Sequence, residues 1–359
     1  MSNVHFCVSW TKRETRTTFF ASRHAPPPFG MASPSADAVP EPFVKKLAID
    51  YLLEGESVKT NPHLRAFAAS TLPHALRHDI NYKSWASIKS KALRKEIAEA
   101  SAAAQRIPRA VKKAQDARRG GVYDIVDATE GDTPSTSQPD DPLGDGTGCV
   151  FFDLCSGKGF LSLFLAHRYP KSKVVMIDSN KKMNLNHLKS LEGRVTFHCL
   201  DLHADETLEL MRNMTEAYGK RASLILGVHL CGDLSRRAIE LWNESNADAL
   251  VLSPCCLVHE VKEARRIKGR FGYGLPKLAK KTGWDAYGLW CRFLFHHCGM
   301  TGDGENNDGK INPRFGPPRK DLDRDDDMIT EKNAFLSVSR GVPLGDVCVP
   351  CAEVEGLSI

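Results

Sequence analysis

After Gly148 the sequence settles into a rhythm of five short apolar runs, at residues 150–154, 173–178, 195–200, 223–228 and 249–252, each separated from the next by a stretch of helix length. Parallel strands cannot be joined by a tight turn, so runs spaced this way call for crossover helices, and a parallel sheet built from them is covered on both faces. The expected fold class is therefore α/β, a doubly wound sheet. A further run at residues 334–338 is expected to add an edge strand. At 359 residues the chain has room for one large domain with an appendage or for two modest domains. A composition of 42% hydrophobic and 26% charged residues excludes a wholly disordered, collagenous or fibrous protein. The longest apolar stretches, such as 249–252, fall far short of the ~18 residues that cross a bilayer. Eleven cysteines, an odd number with no secretory apolar segment before them, read as thiols of a reducing compartment, and the expected location is cytoplasmic.

Charge is distributed in blocks. Residues 77–119 hold twelve basic and four acidic side chains, residues 120–148 hold seven acidic and no basic ones, and residues 262–281 hold eight basic and one acidic. Such blocks are either solvated helix faces or surfaces for a polyanion. The expected organisation follows them. Residues 1–40 form a leader, in which residues 1–30, with Lys12, Arg13, Arg16 and Arg23 against Glu14, resemble a mitochondrial transit peptide unless translation starts at Met31. Residues 41–119 form a basic helical unit: Pro42 stands near the first turn of a helix carrying Val44, Leu47, Ala48, Tyr51 and Leu52, and a second stretch carries Trp85, Ile88 and Ala92 into the Ala-rich run after Ala98. Residues 120–148 read as an acidic flexible linker, 149–342 as the α/β domain, and 343–359 as a tail.

The most informative stretch is Asp153-Leu154-Cys155-Ser156-Gly157-Lys158-Gly159-Phe160-Leu161-Ser162, which follows the first strand and opens a helix. Glycines there permit a tight turn and leave room for a ligand at the helix N-terminus. Lys158 is followed by Gly159 rather than Ser or Thr, so this is not a P-loop. Ser162 stands where a dinucleotide fingerprint has its third glycine, which disfavours a nicotinamide oxidoreductase. Asp178 ends the second strand nineteen residues after Gly159, a position from which a carboxylate can hold both hydroxyls of a ribose. Asp201, closing the third run, is placed to take the amino group of an adenine, or else to cap a strand end.

Taken in succession, residues 153–159, Asp178 and Asp201 resemble motifs of the class I S-adenosylmethionine-dependent methyltransferases, over roughly residues 150–340. The resemblance implies a Rossmann-like sheet of seven strands with the last antiparallel, and S-adenosyl-L-methionine bound over the glycine loop. Its cofactor residues would be Asp153, Cys155, Gly157, Lys158, Gly159, Asp178, Asp201 and His229. Cys155 departs from the family, which usually has Gly there. Gly-Lys-Gly in the first motif, His229-Leu230-Cys231-Gly232 after the fourth strand and Cys255-Cys256 after the fifth resemble the branch containing tRNA 2′-O-methyltransferases and the methyltransferase domain of the glutathione-S-transferase-C-terminal-domain-containing protein. The zinc-binding N-terminal elements of those tRNA enzymes are not evident here.

Methyl transfer depends chiefly on positioning a nucleophile, with a base where the acceptor must lose a proton. His229, Asp233, Cys255 and Cys256 fall at the strand edge where an acceptor belongs and are the candidate catalytic residues. His229 is a general base or a hydrogen-bonded structural histidine. The cysteines are core packing or, by analogy with RNA cytosine-5 methyltransferases, a thiolate that adds to a pyrimidine. A metal site from Cys231, Cys255, Cys256 and His259 lacks the spacing of a zinc module, and none is expected; Cys348 and Cys351 form a lone C-x-x-C. Arg265, Arg266, Lys268 and Arg270, interleaved with Phe271 and Tyr273, suit phosphate contacts and base stacking, so RNA, with tRNA foremost, is the expected partner. A protein or small-molecule acceptor, or a non-catalytic binding module with the same fold, remain the alternatives.

Overall fold

A computed structural model describes residues 60–70, 90–118, 141–191, 193–256, 275–298 and 318–340. Among the described residues two helices, α1 (Pro62–Ser70) and α2 (Ser90–Arg118), precede the sheet region. It then runs β1 (Cys149–Leu154), α3 (Phe160–Arg168), β2 (Lys173–Ile177), a 3-10 turn (Asn186–Leu191), β3 (Val195–His198), α4 (Asp205–Tyr218), β4 (Ala222–Cys231), α5 (Asp233–Glu244) and β5 (Ala249–Cys256). Helices α6 (Leu275–Thr282) and α7 (Ala286–His297) and strands β6 (Arg319–Arg324) and β7 (Ala334–Ser339) follow. The sheet order is β3-β2-β1-β4-β5-β7-β6; the first five strands are parallel, and β7 is antiparallel to both β5 and β6. This is the seven-stranded Rossmann-like sheet that the resemblance implied.

Side chains that alternate along β1 enter opposite layers, as the strand period of two requires. Cys149 and Phe151 join a core with α2 and α3, while Val150, Phe152 and Leu154 join one with α5, α6 and α7. On the first side, Ala98, Ala100, Ala102, Ala103 and Ala104 of α2 are all buried. Their small side chains let that helix lie close on the sheet, so the Ala-rich run shares the sheet's core instead of forming a unit apart. Residues 141–148, expected to end a flexible linker, are also folded: Leu143 is buried, and Asp141 accepts hydrogen bonds from Arg168 and Tyr169 at 3.0 and 2.9 Å. The expected helix near Pro42, the leader, residues 119–140 and the tail lie outside the described residues.

Two further expectations change. The run at 334–338 is not an edge strand, because β6 lies outside it. Arg-Lys-Asp-Leu-Asp-Arg has one apolar residue, so nothing in its pattern announced a strand. The acidic side chains around it also answer the first basic block. Arg106 reaches Asp323 at 2.5 Å and Asp325 at 2.9 Å, Lys113 bonds Asp321, and Arg109 stands 3.8 Å from Asp321. These three basic residues of α2 latch the helix to β6. Among the described residues no helix is long and apolar enough to cross a membrane.

Candidate active site

The loop after β1 is built on left-handed backbone. Cys155, Gly157 and Gly159 have φ of 51°, 52° and 73°, which accounts for the usual preference for Gly at the first of these positions and puts Cys155 in a strained conformation. At Gly159 a Cβ would stand 2.6 Å from Met176 Cε, whereas at Gly157 it would meet nothing within 4 Å. Gly159 therefore serves the turn, and Gly157 leaves bare backbone facing open space. The Ser156 amide donates to the Ile177 carbonyl at 3.2 Å, and His187 Nε2 bonds the Lys158 carbonyl at 2.7 Å, which fixes the loop to β2 and the 3-10 turn.

That space is a cleft of about 370 Å³. Asp153, Cys155, Gly157, Lys158, Asp178 and His229 line it together, with Asn180, Met183 and Val228. Asp178 Oδ2 accepts from the Gly157 amide at 3.0 Å and Oδ1 from the Asn180 amide at 2.9 Å; each oxygen keeps a lone pair for a further donor. Asp153 is buried, and desolvation raises its carboxyl to about 7 against the opposing hydrogen bond from Ser162 Oγ at 2.6 Å. Burial also pushes the Cys155 thiol up to about 12, which keeps it protonated and inert as a nucleophile.

Three side chains from α2, Lys95, Glu96 and Glu99, complete the wall, and the sequence reading missed all of them. Burial raises the Glu96 carboxyl, with Lys158 opposing. Glu99 is fully buried, takes Thr330 Oγ1 at 3.3 Å on one oxygen, and meets His229 Nε2 with the other. His229 has φ of 62° and sits where the β4–β5 register slips between Val228 and Leu230. Such an irregularity turns a side chain out of the strand's alternation, and here it delivers the imidazole to the cleft. Glu99 engages Nε2 of the ring, and Nδ1 is the nitrogen that the carboxyl does not touch.

The other candidates lie elsewhere. Asp201 is exposed, does not line the cleft, and accepts the His203 amide at 3.0 Å. Asp233 opens α5 in a bidentate pair with Arg236 at 2.8 and 3.0 Å, which occupies its carboxylate. Cys255 Sγ lies 3.3 Å from Cys231 Sγ, away from the cleft lining. The Cys256 side chain and Arg265, Arg266, Lys268 and Arg270 lie outside what is described, as do His259, Phe271 and Tyr273.

The cleft fits S-adenosylmethionine on its own chemistry. Glu96 and Asp178 would offer carboxyl oxygens to a ligand bearing a sulfonium and an amine, Lys95 and Lys158 would face its carboxylate charge, and the bare backbone at Gly157 would admit it closely. Residues 140–264 match the family model described as a methyltransferase domain. No curated protein matches the chain. Similar solved structures include the 23S rRNA methyltransferase ErmE (12% identity, 55% of this chain and 63% of that one, TM-score 0.28). Others are the fibrillarin pre-rRNA processing protein of Methanococcus jannaschii (8%, 54% and 66%, TM-score 0.29) and the plantazolicin methyltransferase BpumL with S-adenosyl-homocysteine (10%, 82% and 99%, TM-score 0.29). The chain spans less than two thirds of the length of the first two. Likenesses of this strength say nothing about the acceptor. Residues 140–264 thus carry a methyltransferase domain, on a strand order and beside a cleft that suit S-adenosylmethionine as the methyl donor.

Proposed function

We propose that the protein methylates RNA, with tRNA the foremost acceptor, and that His229 is the base. The observation that carries the catalytic half is the contact of buried Glu99 with His229 inside the cofactor cleft. S-adenosylmethionine would supply an electrophilic methyl group and leave as S-adenosylhomocysteine. Asp178 and the Gly157 backbone would hold its ribose end, and Lys95, Lys158 and Glu96 its amino-acid end. Glu99 orients the imidazole so that Nδ1 can take the proton of an RNA hydroxyl or amine as that atom gains the methyl group. Such proton transfer is worth about 10²–10⁴-fold in rate.

RNA is favoured by the second basic block. Its described end is α6, where Lys280 and Lys281 are exposed beside the sheet region, and Arg265, Arg266, Lys268 and Arg270 precede it. The test is incubation of the protein and methyl-labelled cofactor with a cell extract separated into RNA, protein and metabolites. Label in RNA, lowered at least a hundredfold by His229→Ala, is the expected result. Label confined to protein or metabolites, or none above background, would overturn the RNA assignment.

A further inference from the structure

Trp284 is 59% exposed, the most of any large apolar side chain among the described residues, where such side chains are normally covered. It lies in the turn between α6 and α7, made by Gly283 at φ of 72°, and forms one wall of a cavity of about 480 Å³ that is separate from the cofactor cleft. Arg292 of α7 and Arg324 of β6 stand on other walls, over a floor that includes Leu322. Gly288 opens the cavity: a Cβ there would stand 2.9 Å from Asp285 Oδ2 and 3.6 Å from Arg324 Nη2.

The charges at this cavity are unequally committed. The Asp285 carboxylate caps α7, taking the Tyr287 amide at 3.2 Å and the Gly288 amide at 2.7 Å. Its approach to Arg324 is long, 3.6 Å, with both side chains 62% exposed, so water screens that pair. Arg292 is exposed and makes no ion pair among the described residues. Two guanidinium groups are thus open to an anion beside an uncovered indole.

The position is on the catalytic edge of the sheet. Arg324 ends β6, which runs parallel to β1–β5, and Ala334 begins the antiparallel β7, so both lie at the end where β4 delivers His229. Tyr287 at the start of α7 donates to the Pro254 carbonyl in β5 at 2.8 Å, which ties this helix to the strand beside β4. The cavity and the cofactor cleft therefore flank the end of β5. The exposed lysines of α6 lead directly into Trp284.

We infer that this cavity is a nucleotide subsite for single-stranded RNA: a base stacks on Trp284 while Arg292 and Arg324 hold adjacent phosphates. An indole face with cations beside it suits any nucleobase, and the cavity has room for one. This deepens the RNA reading and rests on it. The assay uses a fluorescein-labelled twelve-nucleotide single-stranded RNA, titrated by anisotropy across a salt series, with S-adenosylhomocysteine affinity measured by calorimetry on the same proteins. Trp284→Ala should weaken RNA binding about 5- to 150-fold, the loss of one stacked base. Arg292→Ser with Arg324→Ser should flatten the log–log salt slope by about 1.4, at about 0.7 per phosphate. Both variants alter exposed side chains and should leave S-adenosylhomocysteine affinity at the wild-type value. Wild-type RNA affinity and slope in both variants would overturn the subsite while leaving the RNA reading intact. A wild-type protein that binds S-adenosylhomocysteine but not the RNA would overturn both and point to a protein or small-molecule acceptor.

Discussion

Replacing Arg106 separates a structural reading of the first basic block from an RNA-binding one. Its guanidinium donates to Asp323 Oδ2 at 3.0 and 2.5 Å, to Asp325 Oδ2 at 2.9 Å and to the Ala102 carbonyl at 2.9 Å, and lies 3.9 Å over the Phe335 ring. Removing one member of a buried ion pair costs about 3–5 kcal/mol. Two facts reduce that figure: the Asp323 side chain is 41% exposed and can rehydrate, and Asp325, at 9%, keeps His63 at 2.9 Å. Arg106→Ala should therefore lose about 2–4 kcal/mol, or roughly 4–16 °C in melting temperature for a domain of this size. Arg106→Met, which keeps the apolar stem over Phe335, should lose less. Burial alone would raise the Asp325 carboxyl, but hydrogen bonds from His63 and Arg106 outweigh it and hold it at about 2, below the ordinary 3.8. A depressed carboxylate stabilises the fold fully above about pH 4, and that share is lost as the pH falls through 2. The gap between wild type and Arg106→Ala should accordingly narrow below pH 4. Urea unfolding followed by circular dichroism measures the loss, and RNA binding across a salt series supplies the control. A loss under about 0.5 kcal/mol, or a salt slope shallower by about 0.7 with stability unchanged, would refute the latch and return α2 to the RNA surface.

Two further outcomes are expected. Asp178→Ala removes the acceptors of the Gly157 and Asn180 amides and should abolish most of the melting-temperature rise caused by S-adenosylhomocysteine; a full rise in the folded variant would contradict its assigned place. Asp153, raised to about 7 by burial, binds a proton in the folded chain between pH 4 and 7 that the unfolded chain does not, so its ionisation lowers stability as the pH climbs through that window. Asp153→Asn should raise the melting temperature of the ligand-free protein at pH 8 more than at pH 4, and equal effects at both would count against the burial argument.

Much of the fold was legible along the chain because it depends on near neighbours. Apolar runs with helix-length spacers imply parallel crossovers whatever surrounds them, and the conformations needed at Gly157 and Gly159 are properties of a short turn. The cleft-lining positions Asp153, Lys158 and Asp178 sit within that same local frame, one strand end from the next. Strand β6 was hidden because its partner β7, not its own pattern, makes it a strand. Asp201 shows a local device that spacing along the chain did not reveal: one of its oxygens closes a turn by accepting the His203 amide.

The pairing of Glu99 with His229 was decided by contacts across the chain. Glu99 precedes His229 by 130 residues, on a helix whose charge alone suggested an RNA surface. Net charge summed over a segment counts ions without their partners, and Asp321, Asp323 and Asp325, more than two hundred residues from Arg106 and Lys113, are those partners. Once α2 is latched by those charges and laid on the sheet by its alanines, Glu99 is carried into the cleft, and the slipped register at His229 turns the imidazole to meet it. Spacing along a chain specifies strands and turns through local sterics, whereas the protonation and aim of a buried side chain depend on whichever distant group the folded backbone brings within hydrogen-bonding distance.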